Sequence, residues 1–262
     1  MPATSRWMAG IEYRGTAYSG WQAQPHAPSV QGVLETALGR VANHPIEIFA
    51  AGRTDAGVHA FQQVVHFDSE ASRTPYAWLL GTNSNLPDDV SVRWVQAAAP
   101  GFHARFSATA RRYRYVIHNA RARSGLLASR AGWYKPDLDA AAMHRAAQAL
   151  LGERDFSAFQ DAECQSPTPM RNVMAVAVTR RDALVAVDIR ANAFLHHMVR
   201  TIVGTLVEVG MGRQHEAWVA EVLASRDRIR AGENAPACGL YFLGAEYPAE
   251  CAVPPAPDFW LP

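Results

Sequence analysis

Short apolar or alternating stretches at residues 7–13, 46–50, 61–67 and 91–96 read as strands, each bounded by polar or turn-forming residues. Between the first two, Ser29 is placed to cap a helix whose Val30, Val33, Leu34, Ala37, Leu38 and Val41 share one face. A second helix opens at Pro75 and runs over residues 75–80, with turn residues at 83–89. The predicted order is β-α-β-β-α-β.

The remainder repeats that order with longer pieces. Residues 106–118 read as a strand, and 138–151 as a helix stopped by Gly152. Strands at 173–179 and 184–190 form a hairpin across Arg181-Asp182. A helix over 194–209 carries Phe194, Met198, Ile202, Leu206 and Val209 on one side; a further helical stretch at 215–223 and a strand at 240–246 follow. The expectation is an α+β protein of two ferredoxin-like halves, 1–105 and 106–247, whose sheets form a central cleft. A tail over 248–262, with five prolines, should be extended.

With 262 residues, 49% hydrophobic, the chain has apolar material for one large or two modest cores, which excludes disorder over most of its length. No apolar run reaches the roughly 18–20 residues of a membrane span, and the opening residues lack the pattern of an export signal. Three scattered cysteines, Cys164, Cys238 and Cys251, suit neither a zinc site nor a disulfide framework. A cytoplasmic protein is expected.

Net charge is only +1, yet residues 90–136 hold nine basic side chains and no acidic one, leaving the rest at −8. Such segregation is an electrostatic footprint for phosphates or a solvated basic face. Within it, Arg112, Tyr113, Arg114 and Tyr115 interleave rings with guanidinium groups, the combination that stacks bases beside phosphates or that fills an ordinary sheet.

The loop Ala51-Gly52-Arg53-Thr54-Asp55-Ala56-Gly57-Val58-His59 joins two expected strands and presents a carboxylate two residues from a cation. Beside an arginine Asp55 stays ionised at neutral pH, ready to act as nucleophile or base, unless it merely caps the turn and pairs with Arg53. Near residues 191–200, His196 and His197 are adjacent, so a helix would point them apart and disfavour a shared metal. Arg200 should be buried among apolar neighbours and need a carboxylate, for which Asp55 is the candidate. No phosphate-binding glycine loop, dinucleotide fingerprint or nucleophilic-serine elbow occurs, so neither cofactor nor metal is expected.

The runs GRTDAGVHA from Gly52, FHARFSATARRYRY from Phe102 and NAFLHHMVRTIVG from Asn192, with GIEYRGTAYSGWQ, NSNLP and GLYF, resemble the tRNA pseudouridine synthase A family. The resemblance spans residues 11–247. It implies isomerisation of uridine at positions 38 to 40 of the tRNA anticodon stem-loop by a homodimer, one tRNA touching both subunits. It further implies that Asp55 is catalytic, that Arg53 helps hold the flipped base out, that Tyr113 stacks on uracil, that Arg200 pairs with the carboxylate and that Leu240 lines the uracil pocket. Contacts to tRNA are implied for Phe61, Gln62, Gln63, Val64, Val65, Ser72, Arg73, Phe102, His103, Ala104, Arg105, Phe106, Arg121, Tyr134, Glu163, Cys164, Gln165, Ser166 and Pro167. Pro167 stands where the family motif has a basic residue. Two other readings compete: a non-catalytic RNA-binding module, and a hydrolase with Asp55 and His59 as an acid-base pair.

Overall fold

In the computed structural model, which describes residues 4–256, the chain divides into two compact units, residues 1–109 with 242–262 and residues 110–241. The division falls a few residues beyond the boundary expected from sequence, and residues 242–247 join the first unit rather than the second.

The first unit contains β1 (Ser5–Tyr13), α1 (Val30–Ala42), β2 (Ile48–Ala50), β3 (His59–Ser69), α2 (Pro75–Asn83) and β4 (Val90–Ala97). Strand β1 pairs antiparallel with both β3 and β4, and β2 pairs antiparallel with β3, the 4-1-3-2 order of a ferredoxin-like sheet. Ser29 caps α1 as expected, its Oγ accepting the Gly32 amide at 3.2 Å, and Asn43 ends that helix at φ 61°. Thr74 caps α2 in the same way. Trp78 of α2 is fully buried against Trp7 and Phe67, which are register partners on β1 and β3. That aromatic cluster seats the helix on one sheet face.

The opposite face is partly covered as well. Gly10 of β1 lies under the Trp94 ring, Trp94 Nε1 donates to Gln62 Oε1 at 3.2 Å, and Gln62 Nε2 donates in turn to the Pro254 carbonyl at 2.8 Å. Gln96 holds the Ala252 carbonyl at 2.8 Å, and Cys251 is buried. The tail thus docks on its own unit, occupying part of a face that the sequence pattern left open; Phe259 and Trp260 lie outside the described residues.

The second unit contains β5 (Ala110–Asn119), β6 (Gly132–Tyr134), α3 (Ala140–Ala147), β7 (Gly152–Asp155), β8 (Met170–Arg181), β9 (Leu184–Ala191), α4 (Met198–Gly210), α5 (Trp218–Ser225) and the start of β10 (Leu240–Glu246). Its strands follow the order β5-β9-β8-β7, antiparallel throughout, with β6 parallel to β5. Tyr115 is the ring around which this unit closes: it lies over Gly132 and Gly239, where a methyl group would collide with it, and donates to the Pro236 carbonyl at 2.8 Å.

Several expected boundaries move. The strand read as 106–118 begins at Ala110, because His103 and Ser107 close a turn through Ser107 N to His103 O at 2.9 Å. The helix read as 138–151 starts after the Asp139 cap and tightens into a 3₁₀ turn after Ala147. The hairpin turns on Asp182-Ala183, with Asp182 at φ 52°. Most consequential is α4, which begins at Met198 rather than Phe194, since His197 takes φ 59° and breaks the helical path. The short β6 and β7 have no clear sequence signal.

Candidate active site

The loop between β2 and β3 is fastened at nearly every backbone position. Ala51 N donates to Val64 O at 2.9 Å, Gln63 Nε2 donates to Gly52 O at 2.7 Å, and Trp21 N donates to Thr54 O at 3.0 Å. Gly57 N donates to Tyr18 O at 3.4 Å, and Gly57 has φ 79°. The Thr54 side chain turns inward to the Tyr13 hydroxyl at 2.8 Å, and His59 Nδ1 accepts the Gly15 amide at 3.0 Å. With Thr54 and Val58 buried, Arg53 is exposed and Asp55 half-buried. A rigid frame therefore leaves the cation exposed and the carboxylate half-buried.

Two glycines outside the motif complete this frame. Gly20 has φ 103°, and a methyl group there would lie 2.8 Å from Thr54 O and 3.3 Å from the Asp55 carbonyl carbon. Gly15 lies so close to the Val58 carbonyl that no side chain fits. Burial pushes the Tyr13 hydroxyl far up, its bonds to Thr54 and Gln63 acting the other way, so it stays protonated. Tyr13, Gly15 and Gly20 were not singled out as site residues; the spaced glycines of GIEYRGTAYSGWQ were the available signal.

In the second unit, Tyr113 of β5 is half-buried, its ring edge-on to Phe194 at 5.0 Å between centroids. Tyr115 and Ile117, expected on the same strand face, are fully buried. Arg200, in the first turn of α4, is half-buried rather than buried, and is fixed by exchange with Ala235: Nε to Ala235 O at 2.8 Å and Ala235 N to Arg200 O at 3.0 Å. Leu240, at the start of β10, is buried. The histidines precede the helix, so they do not splay as a helical pair would; their rings stack at 3.9 Å, and His197 Nδ1 meets Asp161 Oδ2 at 2.8 Å. Asp55 and Arg53 thus lie in the first unit and Tyr113, Arg200 and Leu240 in the second.

The expected RNA contacts sort by exposure. Gln63, Val64 and Val65 are fully buried, and the Gln63 side chain supports the Gly52 carbonyl. Gln62 is likewise buried, and Phe61 is half-buried. Phe102 and Ala104 are buried and His103 half-buried, whereas Arg105 and Phe106 stand out, the guanidinium 5.6 Å above the ring. Ser72 and Arg73 are exposed, and Arg73 Nε holds the Val41 carbonyl in the last turn of α1 at 3.1 Å. Arg121, Glu163, Gln165 and Pro167 are exposed; Cys164, Ser166 and Tyr134 are half-buried. Burial pushes the Tyr134 hydroxyl up to about 12. The basic window is smaller than its count, because Arg114 forms a forked pair with Asp188 at 2.7 and 3.1 Å, and Arg93 lies 3.5 Å from Glu12.

Comparison with known proteins adds an independent finding. Residues 9–107 and 146–248 match the sequence pattern of a family described as tRNA pseudouridine synthase. The chain is 56% identical over 255 residues to the tRNA pseudouridine synthase A of Aeromonas hydrophila, covering 97% of this chain and 95% of that one. It is 57% identical to the protein of that name from Salmonella arizonae and 56% identical to that from Shigella boydii, in each case over 95% of this chain and 92% of the relative.

Proposed function

The chain belongs to the tRNA pseudouridine synthase family and is an isomerase acting on uridine in tRNA; we propose that it works on positions 38 to 40 of the anticodon stem-loop, with Asp55 as the one catalytic carboxylate and no cofactor or metal. Breaking the bond from ribose C1′ to uracil N1 and forming one from C1′ to C5 moves no electrons in or out. The C5 proton is lost and N1 gains one, so charge and redox state balance. One ionised carboxylate suffices for such an exchange.

The observation that carries this reading is the fastening of the Asp55 loop: bonds at Ala51, Gly52, Thr54 and Gly57 hold the backbone on either side of Asp55 before any substrate arrives. Flipping a uridine out of a stem costs a few kcal/mol, a step that the family likeness assigns to exposed Arg53 and to stacking on Tyr113. The same likeness gives Arg200 the role of partner to the carboxylate and Leu240 that of a uracil contact. A cytoplasmic homodimer holding one tRNA across both subunits completes the reading.

Incubating the chain with unmodified tRNA in EDTA should yield carbodiimide-reactive pseudouridine. Asp55→Asn should bind tRNA and yield none. A wild-type rate in Asp55→Asn would sink the assignment, and strand cleavage would replace isomerisation with hydrolysis.

A further inference from the structure

Arg171, the second residue of β8, is 8% exposed, and its bonds all go to neutral atoms. Nη1 donates to the carbonyls of Thr168 at 2.9 Å and Met170 at 2.5 Å, and Nη2 donates to Ser166 Oγ at 2.6 Å. Its Nε is buried with no hydrogen-bond partner. Arg6, Arg114 and Arg145 are matched to Asp68, Asp188 and Glu216, and Arg180, whose bonds also go to neutral oxygens, is exposed where Arg171 is buried. Among the described residues no carboxylate reaches Arg171.

Its surroundings add positive charge rather than remove it. The antiparallel register sets Arg154 of β7 directly opposite Arg171, so the two side chains leave the same sheet face, where like charges destabilise the pair. Arg154 is exposed. Burial lowers the Arg171 guanidinium from its ordinary range, while the Cys164 sulfur acts the other way. A neutral amide could hold one or two of the same loop carbonyls without the cost of an unmatched buried charge. The charge itself therefore calls for an anion.

We propose that Arg171 and Arg154 form an anion site for one RNA phosphodiester at the base of the 163–168 loop. The site rests on the reading above that the chain binds tRNA. Ser166 Oγ accepts from Arg171 Nη2 and donates to the Thr168 carbonyl at 3.0 Å, so the hydroxyl orders a loop whose residues 162–170 carry only Glu163 as a charge and leaves the phosphate to the guanidinium groups. Arg171 acts from below, fixing the loop and supplying field; Arg154 makes the outer contact.

The test is the salt dependence of binding to unmodified tRNA by the full chain. Arg154→Ala, at an exposed position that leaves folding intact, and Arg171→Gln should each lower the slope of log affinity against log salt by about one unit and weaken binding several-fold at low salt. Arg171→Lys should melt at lower temperature, having lost the fork, yet keep the wild-type slope; a purely structural role would make Lys and Gln alike in slope. A wild-type slope in Arg154→Ala or Arg171→Gln overturns the site. If the unaltered chain binds and modifies tRNA while the variants keep its slope, only this inference falls; if it does not bind tRNA, the functional reading falls with it.

Discussion

The hydroxyl of Tyr13, at the end of β1, meets the hydroxyl of Thr54 at 2.8 Å, so the residue preceding Asp55 is tied to the central strand of its unit. Tyr13 is buried and 41 positions away in sequence, which makes the tie a tertiary one.

Tyr13→Phe leaves a buried hydroxyl on Thr54 without this partner. Stability should fall by about 1–2 kcal/mol in urea unfolding. Turnover should fall more than tRNA affinity, because the backbone beside the carboxylate is held less firmly. Equal losses in both would detach Tyr13 from the positioning of Asp55.

Gly20 and Gly52 should respond oppositely to alanine. At Gly20 the backbone is at φ 103° and the added methyl meets Thr54 O at 2.8 Å, so Gly20→Ala should cost about 1–3 kcal/mol and most of the activity. At Gly52, inside the motif itself, no atom lies within 4 Å of the added carbon, and Gly52→Ala should shift stability by less than ~1 kcal/mol. Thermal melts of the two variants decide this.

His66 of β3 is 1% exposed, and burial, with His103 nearby, lowers it to about 4. Its folded value lies below the ordinary histidine value near 6.5, so the unfolded chain binds the proton more readily. Its contribution is whole above pH 6.5 and is lost as pH falls towards 4, by up to about 3 kcal/mol. Urea midpoints measured from pH 7 to pH 4.5 should drop for the wild type and drop less for His66→Gln, whose side-chain oxygen can still accept the Ala104 amide that His66 Nδ1 holds at 3.1 Å.

Two arginines from the same basic window should separate in a salt titration. Arg121 is exposed, and Arg121→Ala should lower the tRNA salt slope by about one unit with little change in stability. Arg114→Ala, which strands Asp188, should cost about 1–3 kcal/mol of stability and leave the slope near that of the wild type. A reversed pattern would mean that sequence charge, not pairing, defines the footprint.

The element order of the first unit, the longer elements of the second and the cap at Ser29 follow from local signals: apolar period, cap residues and turn formers. What local signals do not carry are contacts between distant residues. The burial of Gln63 under Gly52, the strapping of the tail by Gln62 and Gln96, and the pairing of Arg114 with Asp188 all depend on strand register, which composition does not encode. The late start of α4 has the same origin: the apolar period runs back to Phe194, but His197, bonded to Asp161, takes a left-handed conformation that periodicity cannot reveal.

His59 carries a consequence for the chemistry. Its ring is 3% exposed, and Nδ1 takes the Gly15 amide proton, so the imidazole hydrogen must sit on Nε2. A ring in that tautomer has spent its lone pair on the fold and has none left to draw a proton from a nucleophilic water. The imidazole beside the loop is a strut, and whatever Asp55 does, it does without His59.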